Sequence, residues 1–226
     1  MTRLRFHKSL DELKEKLLVV AGMAEQSIQR AVEAYRTCDL SICDLVDRSE
    51  MAINRLEREI DQMALDLLAM EQPMAIDLRF ILAVIKINAD VERVGDSAVN
   101  MTERVRDLQA YPCVDLPIDI PRMADLAAGM VRKALQSFIE ADANMAKSVL
   151  SMDDSVDKLN ETIHYALLNV MKEHPEHTPQ ALDALVIARS LERVADHATN
   201  IAEDVIFWVQ GSDVRHHMSV SDGTGG

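Results

Sequence analysis

Apolar side chains recur at steps of three and four along nearly the whole chain, and few folds accept that rhythm. Leu10, Leu13, Leu17, Val20, Ala24, Ile28, Ala31 and Tyr35 mark one face of a long helix. After a break near "TCDLS", Leu45, Ile53, Leu56, Ile60, Met63, Leu67 and Leu68 give a second helix. Pro73, in "MEQPMAIDLR", ends it and is expected in the first turn of a third helix, which runs to about Ala110. "DLR", Asp77 to Arg79, is expected to cap and pair near that start.

The proline-rich "YPCVDLPIDIP" cannot stay helical and reads as a linker. Beyond it the plan repeats. Leu126, Met130, Ala134 and Phe138 line a first helix, and Val149, Val156, Leu159, Ile163 and Leu167 line a second after "EADAN". "KEHPEHTPQ" turns the chain into a third helix from about Ala181 to Val209. The expected fold is therefore all-α, with two tandem antiparallel three-helix bundles related by an internal repeat. The units would span residues 1–110 and 121–212, with a linker at 111–120 and a disordered tail at 213–226. The thirteen methionines fall mostly at helical spacing and read as core filler.

The repeat carries a polar phrase. "VERVGDSAVN" stands at 91–100 and "LERVADHATN" at 191–200, each inside an apolar helical run. Glu92 and Asp96 are four apart, as are Glu192 and Asp196, so each pair projects from one helix face. If helices two and three form a hairpin about Pro73, Asn54 stands level with Glu92, and Glu50 with Asp96. About a midpoint between His174 and Pro175, Asp157 stands level with Glu192, and Asp153 with Asp196. Glu57 and Asp61 continue the first column, where the second unit has Asn160 and His164. Asn100 with Glu103, and Asn200 with Glu203, extend the third helices.

Carboxylates gathered in this way repel one another unless protonated or bridged by a cation. Their hard oxygens suit magnesium, calcium, manganese or iron, and also zinc, particularly where histidine joins. A plain solvated acidic face is the competing reading.

With 38 acidic against 24 basic side chains, a net charge of -14 disfavours nucleic acid and anionic headgroups and suits cations or basic partner surfaces. Cys38, Cys43 and Cys113 are an odd set without CxxC spacing, which points to a reduced, cytoplasmic setting. No stretch approaches the roughly 20 apolar residues of a membrane span, so no direct membrane insertion is expected. "MTRLRFHKSL" leads straight into "DELKEKLL" without a signal-peptide core. No nucleophile–base arrangement or phosphate-binding glycine loop is present, so the chain is expected not to be an enzyme. A carboxylate-bridged oxidase or iron store needs two ExxH motifs, whereas Glu161-xx-His164 occurs once.

The two units, "MEQPMAIDLRFILAVIKINADVERVGDSAVN", "LVIARSLERVADHATNIAED" and the closing "VQGSDVRH" resemble the PhoU family of phosphate-uptake regulators, from Phe6 to about His216. That resemblance implies paired E(D)xxxD motifs binding iron or zinc clusters on each bundle. By position they are Glu50, Asn54, Glu92 and Asp96, then Asp153, Asp157, Glu192 and Asp196. Asn54 departs from the acidic pattern, so the first site is expected to lean on Glu57 and Asp61. The resemblance also implies a cytoplasmic adaptor that restrains a sensor histidine kinase and a phosphate-transporter ATPase, and a homodimer.

Overall fold

A computed structural model describes residues 3–71 and 73–211, and all regular structure among them is helical. Seven α-helices follow one another: α1 Arg3–Thr37, α2 Leu40–Glu71, α3 Ala75–Leu108, α4 Ile120–Glu140, α5 Ala143–Leu150, α6 Asp153–Glu173 and α7 Thr178–Gln210. A short 3-10 turn, Pro175–His177, precedes α7. Helices α1 to α3 make the first three-helix bundle; α4, the α5–α6 pair and α7 make the second. No helix among the described residues is long and apolar enough to cross a membrane. The tail expected to be disordered, and all of "VQGSDVRH" after Gly211, lie outside the described residues.

The apolar faces read from the sequence are the faces that bury. Leu13, Leu17, Val20, Ala24, Ile28 and Ala31 of α1 are almost fully enclosed, as are Ile53 and Ile60 of α2 and Ile187, Leu191 and Val194 of α7. α3 packs most extensively on α7, so the third helices of the two bundles lie against each other. α2 covers α1 and α3 from one side, and α6 covers α7 and α4 from the other. Buried side chains from both halves form one continuous hydrophobic cluster. At its centre Phe80 of α3 stacks on Phe138 of α4 at 5.6 Å, and Trp208 of α7 meets each ring at 5.2 Å.

Three local expectations need correction. Pro73 lies outside the first turn of α3; it precedes the extended cap residue Met74, whose ψ of 164° leads into the helix. Asp77 sits in the first turn of α3, but Arg79 reaches across the molecule and donates from Nε to the Trp208 carbonyl at 3.2 Å. It thereby serves the carbonyl end of α7, where Gly211 closes the helix at φ 70°. The second helix of the second unit is also broken, because α5 stops at Leu150 and α6 starts at Asp153. Val149 and Val156 are both buried and seven residues apart, so the break keeps the helical phase. Asp153 and Asp154 then occupy the first turn of α6, where the positive helix end favours acids.

Candidate metal centre

The outer position of α2 and α6 decides where the polar columns meet. On α2, Glu50, Asn54, Glu57 and Asp61 are all half-buried against α3, which presents Glu92 and Asp96, also half-buried. Gly95 lets the two helices approach: a Cβ there would stand 3.1 Å from Ile53 Cδ1. Gly95→Val is expected to lower stability by about 1–3 kcal/mol through overpacking at this crossing, measured by urea unfolding.

The first cluster is a field of like charges. Burial raises the Glu92 carboxyl above its ordinary range, and Asp96, Glu57 and Glu50 add to the rise. Glu57 is raised in the same sense by burial, Asp61 and Asp96. The two helices therefore bring Glu50, Glu57, Asp61, Glu92 and Asp96 within electrostatic reach of one another. Asn54 sits inside the same group and donates from Nδ2 to Glu50 Oε1, one turn earlier. Its amide relieves one repulsion that an acid would have added.

α6 and α7 assemble the second cluster. Burial raises Asp153, and Asp157, Asp196 and Asp154 push it further. Glu192 rises through burial, Asp196, Asp157 and Asp153. Asp196, exposed like Asp157, rises mainly through burial of its carboxyl, while neighbouring His197 pulls it down and Asp157 pushes it up. Asp153, Asp157, Glu192 and Asp196 thus form one group. Asn160 is half-buried, but His164 and Glu161 are exposed on α6, away from the core position a di-metal oxidase motif requires.

Sequence reasoning missed Asn88, one turn before Glu92. It is 1% exposed, and its Nδ2 donates to the Glu57 carbonyl and to Asp61 Oδ1, both at 2.9 Å. Asn88 fixes the α2 column to α3. Its only signal was a polar residue in the apolar run "VIKINAD". A second missed group joins the two third helices: His197 Nδ1 meets Asp90 Oδ1 at 2.9 Å, with Asn200 Nδ2 at 3.3 Å from the same oxygen. Lys86 Nζ pairs with Asp204 at 2.9 Å nearby.

Three oxygens in or beside the clusters are buried without a hydrogen-bond donor: Asn54 Oδ1, Asn88 Oδ1 and Asp153 Oδ1. Hard, unpartnered oxygens among mutually repelling carboxyls are a donor set that fits a hard or borderline cation. The carboxylates stand apart, however. Among the described residues, three ligand atoms come within 4.8 Å of one another only in His174, Glu176 and His177, at the surface turn before α7.

A family model described as the PhoU domain matches residues 17–105 and again 120–205. The phosphate-specific transport system accessory protein PhoU homolog of Pseudomonas putida is 35% identical over 215 residues, covering 94% of this chain and 83% of its own. The homolog of that name from Aquifex aeolicus is 33% identical over 213 residues, covering 94% of this chain and 96% of its own. The crystal structure of PhoU from Pseudomonas aeruginosa superposes with a TM-score of 0.88 at 34% identity, covering 92% of this chain and 100% of that one. The phosphate transport system regulatory protein PhoU from Streptococcus pneumoniae superposes with a TM-score of 0.85 at 26% identity, covering 92% and 99%. With two domain matches and relatives aligned along nearly its whole length, this chain belongs to the PhoU family.

Proposed function

We propose that this chain is a cytoplasmic negative regulator of phosphate uptake and phosphate-starvation signalling, and works as a non-enzymatic adaptor. Its partners are a sensor histidine kinase and the ATPase subunit of a phosphate transporter, and it acts as a homodimer. The names of its relatives, an accessory protein and a regulatory protein of phosphate transport, support this placement. The carrying observation is the pair of acidic clusters on equivalent helix pairs, one in each bundle. A net charge of -14 adds a general preference for basic partner surfaces.

Iron or zinc is the proposed occupant of the clusters. Glu50, Asn54, Glu57, Asp61, Glu92 and Asp96 would hold it in the first bundle, and Asp153, Asp157, Glu192 and Asp196 in the second. A bound cation supplies positive charge that cancels the repulsion between carboxylates. The remaining work belongs to the protein. Asn88 fixes the α2 column, and the short α2–α3 distance at Gly95 keeps both columns within reach. The Asn54 amide orients Glu50. With the acids balanced, each outer helix is held against its neighbour, and the adjoining faces keep one shape for a partner.

Deleting the gene in its host is expected to make phosphate-starvation genes constitutive when phosphate is plentiful. An unchanged response counts against the regulatory role. A pull-down with and without phosphate is expected to capture the kinase or the transporter ATPase.

A further inference from the structure

Cys38 and Cys113 lie 75 residues apart in sequence, in two different connections, yet their sulfurs stand 4.0 Å apart. Cys38 closes the α1–α2 turn with φ at 55°. Cys113 lies in the extended connection between α3 and α4. Both side chains are exposed, whereas Cys43 is fully buried. The two sulfurs open on a cavity of about 420 Å³, also lined by Tyr35, Pro112 and Gln180. The backbone around them is held: Gln109 Nε2 donates to the Cys38 carbonyl at 3.3 Å, and Gln180 Nε2 to the Pro112 carbonyl at 3.1 Å.

We propose that Cys38 and Cys113 form a peroxide-driven intramolecular disulfide that clamps the α3–α4 connection onto the α1–α2 turn. Bonded sulfurs stand about 2.05 Å apart, so side-chain rotation has about 2 Å to close. One thiol gives up its proton and the thiolate attacks a peroxide oxygen; the O–O bond breaks, and the released hydroxide takes up that proton and leaves as water, with a sulfenic acid on that sulfur. The other thiol likewise gives up its proton, its thiolate attacks the sulfenic sulfur, and the displaced hydroxide takes up that proton as a second water. Two thiols and one hydrogen peroxide thus give one disulfide and two waters, and the two electrons pass from sulfur to the peroxide. In a reducing compartment such a bond is transient, which suits a reversible response to oxidant. The clamp acts on the only covalent link between the two bundles and stiffens it.

The test uses the full, reduced chain treated stepwise with hydrogen peroxide, followed by thiol counting and non-reducing peptide mapping. Free thiols are expected to fall from three to one, with Cys43 retained, and a linked Cys38–Cys113 peptide is expected. Dithiothreitol should restore all three. Cys38→Ser and Cys113→Ser should each abolish the linked peptide, and circular dichroism shows whether each variant is folded. The mapping of the unaltered chain stands without either variant. Sulfinic or sulfonic acids with no linked peptide would overturn the proposal. So would a bridge between two chains, or one that includes Cys43.

Discussion

Glu92→Gln combined with Asp96→Asn is expected to stabilise the metal-free protein and to remove the first site's share of the stabilisation that metal gives the unaltered one. In chelator, two mutually repelling carboxyls become neutral amides of the same shape. Both side chains are half-exposed, so solvent screening limits the gain to about 1 kcal/mol, or about 2–4 °C in a chain of this size. Added zinc or ferrous iron has the opposite order of effects. At about one hundred times its Kd, a cation that binds only the folded state adds about 2.7 kcal/mol. The unaltered chain should show that gain for each working site, and the double variant should lose the first site's share.

The pH dependence carries a sign that distinguishes this account from ordinary acid denaturation. Glu57, Glu92, Asp153, Glu192 and Asp196 all have carboxyls raised above their ordinary values, mainly by burial. Between the unfolded value, near about 4, and the raised folded value, the folded state holds more protons than the unfolded one. Stability from these groups is therefore complete below the unfolded value and is lost as pH rises through the raised one. In chelator the unaltered protein should weaken across that window, and the double variant should weaken less. Metal should counter the loss at the upper end, where the ligands are ionised.

Phe138→Ala is expected to cost about 3–5 kcal/mol, more than the substitution at Gly95 or the neutralised acids. Phe138 has no exposed surface and touches both Phe80 and Trp208, so its removal leaves a cavity where α3, α4 and α7 meet. Because the hydrophobic cluster runs through both bundles, the loss should appear as one shifted transition. Urea unfolding followed by circular dichroism and by fluorescence of the single tryptophan, Trp208, checks both points. Two separated transitions, or a loss under about 1 kcal/mol, would mean the rings do not join the halves.

The helices and their buried faces were legible because a step of three or four apolar residues is the same in sequence and in space. Glu57 and Asp61 were legible for the same reason, since they continue the Glu50–Asn54 column. The break between Leu150 and Asp153 was not, because Val149 and Val156 keep phase across it without proline or glycine. Asn88 and the Asp90–His197 contact were hidden in another way. A polar residue on a buried face shows its purpose only once the neighbouring helix supplies Asp61 in one case and α7 in the other. The nearness of Cys38 and Cys113 depends on how two connections meet, which no helical period records.

Metal content of the tag-free protein, purified without chelator from its own host, tests most directly whether the two clusters hold cations. Iron or zinc is expected in the unaltered chain, lowered by Glu92→Gln with Asp96→Asn, lowered likewise by Glu192→Gln with Asp196→Asn, and lost when all four are combined. A chain that carries no metal, or one whose metal content all of these substitutions leave unchanged, would contradict it.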